Sequence, residues 1–447
     1  MGEISEVDRI TAWISANLGA TVTSITLVPG WRPAWLVTAS GPEGERRLYV
    51  RGDRPANLQT LPLRNEYEVL RLLARHGIPV PVIYGWCEDP ETIIMEAVDT
   101  LPFHGGAHLD PALHAVVSDY IAIMARIHRI DVTEAEAFGF TRPTTPETLA
   151  FAYFKDNHDH YLAHKTKPEP LIEFVRKWVL ANIPQHRSET ALVIGDAPQF
   201  FHDGTRVTHV YDLELAHIGD PMADLASVRV RDINEPIGRM TELLLRYVAE
   251  SGKPIDWAAL DFHTIAAFLS VPMRVGSLVY GNEPVPAYIE YLSWYLGGAR
   301  AALEVLADVR GVALAPVALV DAGPSRNAVT FDNLDMACLE LPAASGRLRE
   351  PEILSLAHYA RRLDEAGAEM DRVDLTETEA LVGEKFANLD AADAALEGFV
   401  LAAGPEQDSA LVTLFYRRTM RRLQLIRDYP GPIVDRGPTP IDRSRFA

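Results

Sequence analysis

Residues 4 to 18 place Ile4, Val7, Ile10, Ile14 and Leu18 at helical spacing, which predicts an amphipathic helix. Between residues 21 and 51 the period changes. TVTSITLV, WLVTAS and RRLYVR are β-rich pieces broken at Pro29-Gly30 and Gly41-Pro42. Helical spacing returns from Leu63 to His76 and stops at Gly77, a helix-ending residue. Val80 to Tyr84 and Thr92 to Val98 then read as two short strands. From Pro111 to Ile130 the residues Leu113, Val116, Val117, Tyr120, Met124 and Ile127 make one apolar helical face. Helices are expected from there to about residue 308, with one interruption. In residues 191 to 213, ALVIGD, a turn at Asp203-Gly204 and TRVTHVYDLE predict a β-hairpin with acidic residues where its strands end. A Pro/Gly/Ala-rich bridge covers 310 to 330, and helical stretches follow at about 350 to 366, 376 to 402 and 408 to 428. The tail YPGPIVDRGPTPIDRSRFA has no period and is expected to lie extended or loose.

The composition narrows the class. A chain of 447 residues, 48% hydrophobic and 23% charged, is that of a folded globular protein of about three units. Its formal net charge of −20 argues against gripping nucleic acid or an anionic membrane. The plain account of that charge is solubility, and the sharper one is steering of a cationic substrate. Cys87 and Cys338 match no zinc spacing and cannot staple so long a chain, so a reducing, cytoplasmic compartment is expected. The first residues, MGEISEVDRITAWISANLGA, carry acids and no long apolar core, unlike a secretory leader. The longest apolar run, Val312 to Val320, contains Pro316 and is too short to span a bilayer.

Chemistry concentrates in three places. Arg51 ends a strand, and Glu66 lies on the helix after it. Ile194-Gly195-Asp196 is followed by Gln199. Asp212-Leu213-Glu214 precedes His217-Ile218-Gly219-Asp220-Pro221 and Asp224-Leu225-Ala226. Carboxylates beside buried apolar strands cost free energy unless they bind something. Phosphoryl transfer needs a cation on the nucleotide phosphates held by an acidic partner, oxygen ligands for Mg²⁺, and a carboxylate near the attacking hydroxyl. The order of these groups along the chain fits that need.

The string VIGDAPQFFHDGTRVTHVYDLELAHIGDPMADLA, residues 193 to 226, resembles the aminoglycoside phosphotransferase family of the protein-kinase-like fold. That family's pattern runs H-G-D-x-x-x-x-N, a hairpin, then D-W-E-x-A-x-x-G-D-P-x-x-D-L-A. YVRGDRP, NEYEVLRLLARHGIPVPVIYGWCED, IIMEAVDT and MARIHRID resemble its strand, helix, hinge and first C-lobe motif. The branch it most resembles includes kinase-like domains associated with acyl-CoA dehydrogenases. The resemblance covers about residues 20 to 310.

It implies an α+β, bilobal, protein-kinase-like fold with an extra C-terminal helical segment. The N-lobe would be 1–98, the mainly helical C-lobe 99–320, and the extension and Pro-rich tail 321–447. The implied activity is a phosphotransferase moving the γ-phosphate of ATP, with Mg²⁺, to a hydroxyl of a small metabolite such as a hydroxy acid or hydroxyacyl-CoA. Asp196 takes the place of the catalytic base, and Asp212 and Gln199 those of the metal ligands. Arg51 takes that of the phosphate-contacting cation and Glu66 that of its partner. Gly30 falls where the nucleotide-covering loop turns; Glu96 and Val98 would read adenine through their backbone, with Met95 behind them. Asp224 and Glu214 are read as structural support of the site.

Two departures stand out. Ile194 replaces the family His, and Gln199 comes two residues before the expected Asn. They leave open a nucleotide-binding pseudokinase with a regulatory or scaffolding role, and an antibiotic-modifying enzyme is a further alternative. Asp196 and Asp212 could be mere strand-end caps, and Arg51 with Glu66 a surface ion pair. His160 and His164 share a helical face and could be metal ligands, although a solvated face explains them more simply; His160 would lie near the acceptor. Arg229, Arg231 and Arg274 sit in apolar helices, where each needs an acidic partner or an anion on the substrate. The C-terminal helices are expected to pack on the C-lobe or form a homodimer contact.

Overall fold

The computed structural model describes residues 5–28, 32–54, 61–281, 283–320, 323, 325–339 and 350–446. The chain opens with helix α1 (Glu6–Leu18), capped by Ser5, whose side chain accepts from the Asp8 N–H, and ended by Gly19 in the left-handed region. Strands β1 (Thr21–Leu27), β2 (Ala34–Gly41) and β3 (Gly44–Gly52) follow, then helix α2 (Leu63–Arg75) and strands β4 (Ile83–Glu88) and β5 (Glu91–Glu96). The five strands form one antiparallel sheet in the order β1-β2-β3-β5-β4.

Strand periodicity sorts the two faces of this sheet. Leu48 and Val50 of β3 pack with Ile10 and Ile14 of α1. Tyr49 lies on the opposite face with Ile93, Met95 and the apolar side of α2. Arg51 shares that second face, so the strand delivers its guanidinium toward α2. The α2 helix buries Val69, Leu70, Leu72 and Leu73, and with them Glu66, only 2% exposed. A buried carboxylate in the first turn of an amphipathic helix signals a partner across the sheet.

A short strand β6 (Leu101–Pro102) leads into a helical body: α3 (Pro111–Ile127), α4 (Val132–Glu136), α5 (Pro146–Ala150), α6 (Phe154–His164) and α7 (Pro170–Ala181). Then come β7 (Ala191–Val193), β8 (Phe200–His202), β9 (Val207–Val210) and β10 (His217–Gly219). The expected hairpin is present as β8–β9, but ALV is not one of its arms. Instead β7 pairs with β10, and β6 joins β8 and β9 in a second small sheet. Gly195 is the reason. At φ +86° it turns the chain sharply, and a Cβ there would lie 2.5 Å from the Leu215 carbonyl oxygen.

Helices α8 (Pro221–Asp232), α9 (Met240–Ser251), α10 (Trp257–Tyr280) and α11 (Tyr288–Arg310) complete the body. Among the described residues α10 is long and apolar enough to cross a membrane, yet 72% of that stretch is buried within the protein. Its all-round apolarity follows from packing against α6, α7, α8 and α11.

The C-terminal segment comprises α12 (Ala328–Leu339), α13 (Glu350–Arg362), α14 (Ala368–Val382), α15 (Leu389–Ala402) and α16 (Asp408–Leu425). The single stretch expected over 376 to 402 is two helices, because Gly383, at φ +84°, ends α14. Leu396, Val400, Leu411 and Phe415 share a core with α7, α10 and α11, so these helices pack on the body. The tail is anchored, contrary to the expectation of a loose segment. Buried Arg300 donates to the carbonyls of Ile433 at 3.0 Å and Val434 at 2.7 Å. Arg436 reaches the buried Asp232 at 2.9 Å, and Phe446 packs edge-on against Trp257 at 5.0 Å. Side-chain anchors with no sequence period hold it, which hydropathy reading cannot detect.

Candidate functional site

The strand-to-helix step on one side of the cleft and two turns on the other bring the polar residues together. Arg51 donates through Nε to Glu66 Oε2 at 2.8 Å and through Nη2 to Asp212 Oδ1. Glu66 also accepts the Leu213 backbone N–H at 3.2 Å, so one buried carboxylate ties β3, α2 and the Asp212 turn together. These are not surface contacts: the side chains of Arg51 and Glu66 are 11% and 2% exposed. Burial opposes the Arg51 charge, but Glu66 and Asp212 outweigh it and hold its pKa above the ordinary arginine value.

Asp212 occupies the left-handed region at φ +58°, a conformation that costs a non-glycine residue about 1–3 kcal/mol. Burial would raise its carboxyl, yet Arg51 and Arg32, with hydrogen bonds from Arg51 and Gln199, bring it below the usual carboxylate range. Gln199 also donates through Nε2 to Asp196 Oδ2 at 2.9 Å. Gln199 therefore bonds Asp196 and stands beside Asp212, close enough to help lower its carboxyl, despite its early position in the chain.

The Asp196 carboxylate is clamped from its other side. Arg231 donates from Nε and Nη2 to its two oxygens, both at 2.9 Å, and from Nη1 to Glu235 at 2.9 Å. The turn carrying Asp196 is held from beneath. Asp224, fully buried, accepts the Ile194 N–H at 2.8 Å, the Gly195 N–H at 2.8 Å and His128 Nε2 at 2.9 Å. Ile194 fills the core with its side chain at 2% exposure. The loop is thus tied through backbone donors that any residue but proline at 194 supplies.

Two site residues escaped the sequence reading. Arg32 and Arg54 both pair with Glu214, Arg54 through Nε at 3.1 Å. Arg32 Nη1 also lies 4.0 Å from Glu66. Three guanidiniums, from Arg32, Arg51 and Arg54, therefore meet three carboxylates, of Glu66, Asp212 and Glu214, in the cleft. Burial lowers the pKa of Arg32 to about 10, with neighbouring Arg51 adding to the effect. An Arg beside a turn and another past a strand end carry no local pattern, and their partner lies 182 and 160 positions away.

Several expected residues sit elsewhere or are already engaged. Gly30 lies outside the described residues. Met95 is buried in the α2 core. The Glu96 N–H donates to the Val82 carbonyl at 2.9 Å, so that amide is not open to an adenine edge. Val98 is half-buried just beyond β5. Of the three arginines expected to need an acidic partner or a substrate anion, Arg231 has acidic partners, Asp196 and Glu235. Arg229 points inward to Thr264 Oγ1 at 3.0 Å and is 6% exposed. Two positions on a helix lie about 200° apart, so neighbours in an i, i+2 pair cannot share a face. Arg274 is the one of the three near the cleft without a tight partner, 3.5 Å from Asp156 and close enough to lower the Arg54 pKa. His160 stacks on His164 with ring centroids 4.2 Å apart. No group of three or more His, Cys, Asp or Glu side chains able to hold a metal occurs among the described residues.

This geometry can be set against known proteins. The sequence profile of the Phosphotransferase enzyme family matches residues 25–263, more than half of the chain. The chain belongs to this phosphotransferase family. The mouse protein acyl-CoA dehydrogenase family member 10 is 28% identical over 184 residues, 37% of this chain and 16% of the mouse protein. Human acyl-CoA dehydrogenase family member 11 is 26% identical over 179 residues, 36% of this chain and 22% of the human one. The match thus spans about a fifth of these relatives' length. A Ralstonia eutropha structure, named as a candidate aminoglycoside phosphotransferase, is similar at 19% identity and a TM-score of 0.55. It covers 68% of this chain and 98% of its own, and it shows the fold: α+β, kinase-like, with the C-terminal helices of this chain added to it.

Proposed function

We propose that this phosphotransferase moves the γ-phosphoryl group of ATP to a hydroxyl of a small metabolite, with Asp196 as base. The observation that carries the reading is the placement of Gln199 between its bonded partner Asp196 and neighbouring Asp212, with Arg51 paired to Asp212. The residues present suit Mg²⁺: the Asp212 carboxylate and the Gln199 amide oxygen are hard donors, and this ion keeps several waters of its own. Bound there, the ion would neutralise charge on the β- and γ-phosphates. Arg51, Arg32 and Arg54 would take the phosphate charge that the ion leaves. Asp196 would accept the hydroxyl proton as the new O–P bond forms and the bond to ADP breaks.

The acceptor side of the cleft is apolar. A cavity of about 220 Å³ beside Asp196 is lined by Tyr153, Phe154, Leu215, Val230, Ala266 and Val271, among others. Its two carboxylates are already paired, Asp196 with Arg231 and Asp220 with Arg187 at 2.7 Å. A polycationic antibiotic would need free acids here. An apolar-bodied hydroxy acid or hydroxyacyl thioester fits better, with Arg274 as the nearby cation for its acidic end. The expected outcome of a screen with ATP and Mg²⁺ is ADP release with hydroxy acids or hydroxyacyl-CoA thioesters and none with aminoglycosides. Release with aminoglycosides alone would overturn the acceptor assignment. No release with any acceptor, while the nucleotide still binds, would make the chain a nucleotide-binding pseudokinase.

A further inference from the structure

A second cavity, of about 300 Å³, lies between the helical body and the C-terminal helices. Small-molecule sites begin at about that volume. Most of its wall lies beyond residue 263, outside the stretch that the family profile matches. Its character differs from that of the cleft. Tyr280, Tyr288, Tyr295 and Tyr359 supply aromatic surface, with the Tyr280 and Tyr295 rings perpendicular at 5.1 Å.

It is strongly charged as well. Four carboxylates, of Glu169, Asp374, Asp390 and Asp393, meet three cations, of Lys167, Arg418 and Arg422. Two of the cations are spoken for. Arg418 donates to Asp393 at 2.6 Å, and Arg422 to Asp371 at 2.6 Å and Asp374 at 3.0 Å. The third is informative. The Lys167 ammonium lies over the Tyr280 ring, 3.1 Å from its centroid. The face of an electron-rich ring attracts cations, more so where water is excluded. Glu169, which accepts the Tyr295 hydroxyl at 3.0 Å, stands close enough to support that ammonium electrostatically.

We propose that this cavity is a binding site for a small organic ammonium ion, and that Lys167 is its tethered internal occupant. The chain's own ammonium shows that the Tyr280 face receives a cation. Lys167 is an exposed residue on a flexible stem, so its head can swing out to water while an untethered ammonium takes the ring face. The site is independent of the phosphoryl-transfer reading, since none of these residues belongs to the cleft.

The test is calorimetric titration of the full chain with tetramethylammonium chloride, at ionic strength held constant with sodium chloride. Saturable one-to-one binding is expected. Lys167→Met should strengthen it by about tenfold, because the competing cation is gone, an effect of the size of a partly desolvated cation–π contact. Tyr280→Phe should preserve binding, and Tyr280→Ala should weaken it about tenfold or more. Thermal unfolding midpoints of the three variants check that they fold. Absence of saturable binding in the folded Lys167→Met protein would overturn the proposal. So would equal binding by the Tyr280→Ala and Tyr280→Phe proteins.

Discussion

Asp196→Asn is expected to lower turnover by about 10²–10⁴-fold, the usual contribution of a positioned general base, while nucleotide affinity stays within a few-fold. Asn keeps the size of the side chain and can still bond Gln199. It cannot take the proton from the attacking hydroxyl. The interactions lost are those that strengthen as the proton leaves, so the loss belongs to kcat and not to ground-state binding. The clamp from Arg231 sharpens the test. Its two 2.9 Å bonds fix where the carboxylate stands, and they identify Arg231 as a positioning residue. Arg231→Met should then lower turnover less than Asp196→Asn does. Wild-type turnover in the Asp196→Asn enzyme would remove this carboxylate from the reaction.

Asp224→Ala is expected to have the largest effect on folding, about 3 kcal/mol or more. Asp224 is fully buried and accepts from two backbone amides and the His128 imidazole. Its removal leaves three donors without an acceptor, and each such group costs about 1–3 kcal/mol. His128 is also bonded at Nδ1 to the Tyr247 hydroxyl at 2.8 Å, so the damage would spread to α3 and α9. Asp224→Asn keeps one acceptor oxygen and should lose distinctly less. Denaturant unfolding of both variants measures the difference. An Asp224→Ala midpoint equal to that of the wild type would show that the catalytic turn is held by something else.

The parts of this protein that hydropathy could reveal were those with a period. α1, α2 and α3 follow directly from apolar spacing, and β1 to β3 from β-rich stretches between Pro/Gly breaks. The pairing of Arg51 with Glu66 was readable because strand and helix are neighbours in the chain and Glu66 interrupts an apolar helical face. The motif around Asp212, Asp220 and Asp224 was readable because its residues crowd into one short segment. Arg32 and Arg54 were not, since their roles arise only when distant turns meet at Glu214. The pairing of β7 with β10 was hidden for a similar reason: three-residue strands carry no alternation, and a single glycine decides where the chain goes. Arg229 and Arg231 illustrate the opposite case. Helix geometry alone places them on different faces, and the structure sends one into the core and the other to Asp196.

Glu214 pairs with two guanidiniums, those of Arg32 and Arg54. Together with Glu66 and Asp212 it balances three arginines without a ligand. A bound polyphosphate would compete with these carboxylates for the same cations, so affinity for nucleotide should depend strongly on whether Mg²⁺ accompanies it.

Calorimetric titration of the full chain with ATP, with and without Mg²⁺, therefore bears most directly on the central claim that the two aspartates share a metal nucleotide. Saturable one-to-one binding that needs Mg²⁺ in the wild type, and that weakens about tenfold or more in Asp212→Asn, is the predicted result. Binding that is indifferent to both the ion and that substitution, or no binding at all, would contradict it.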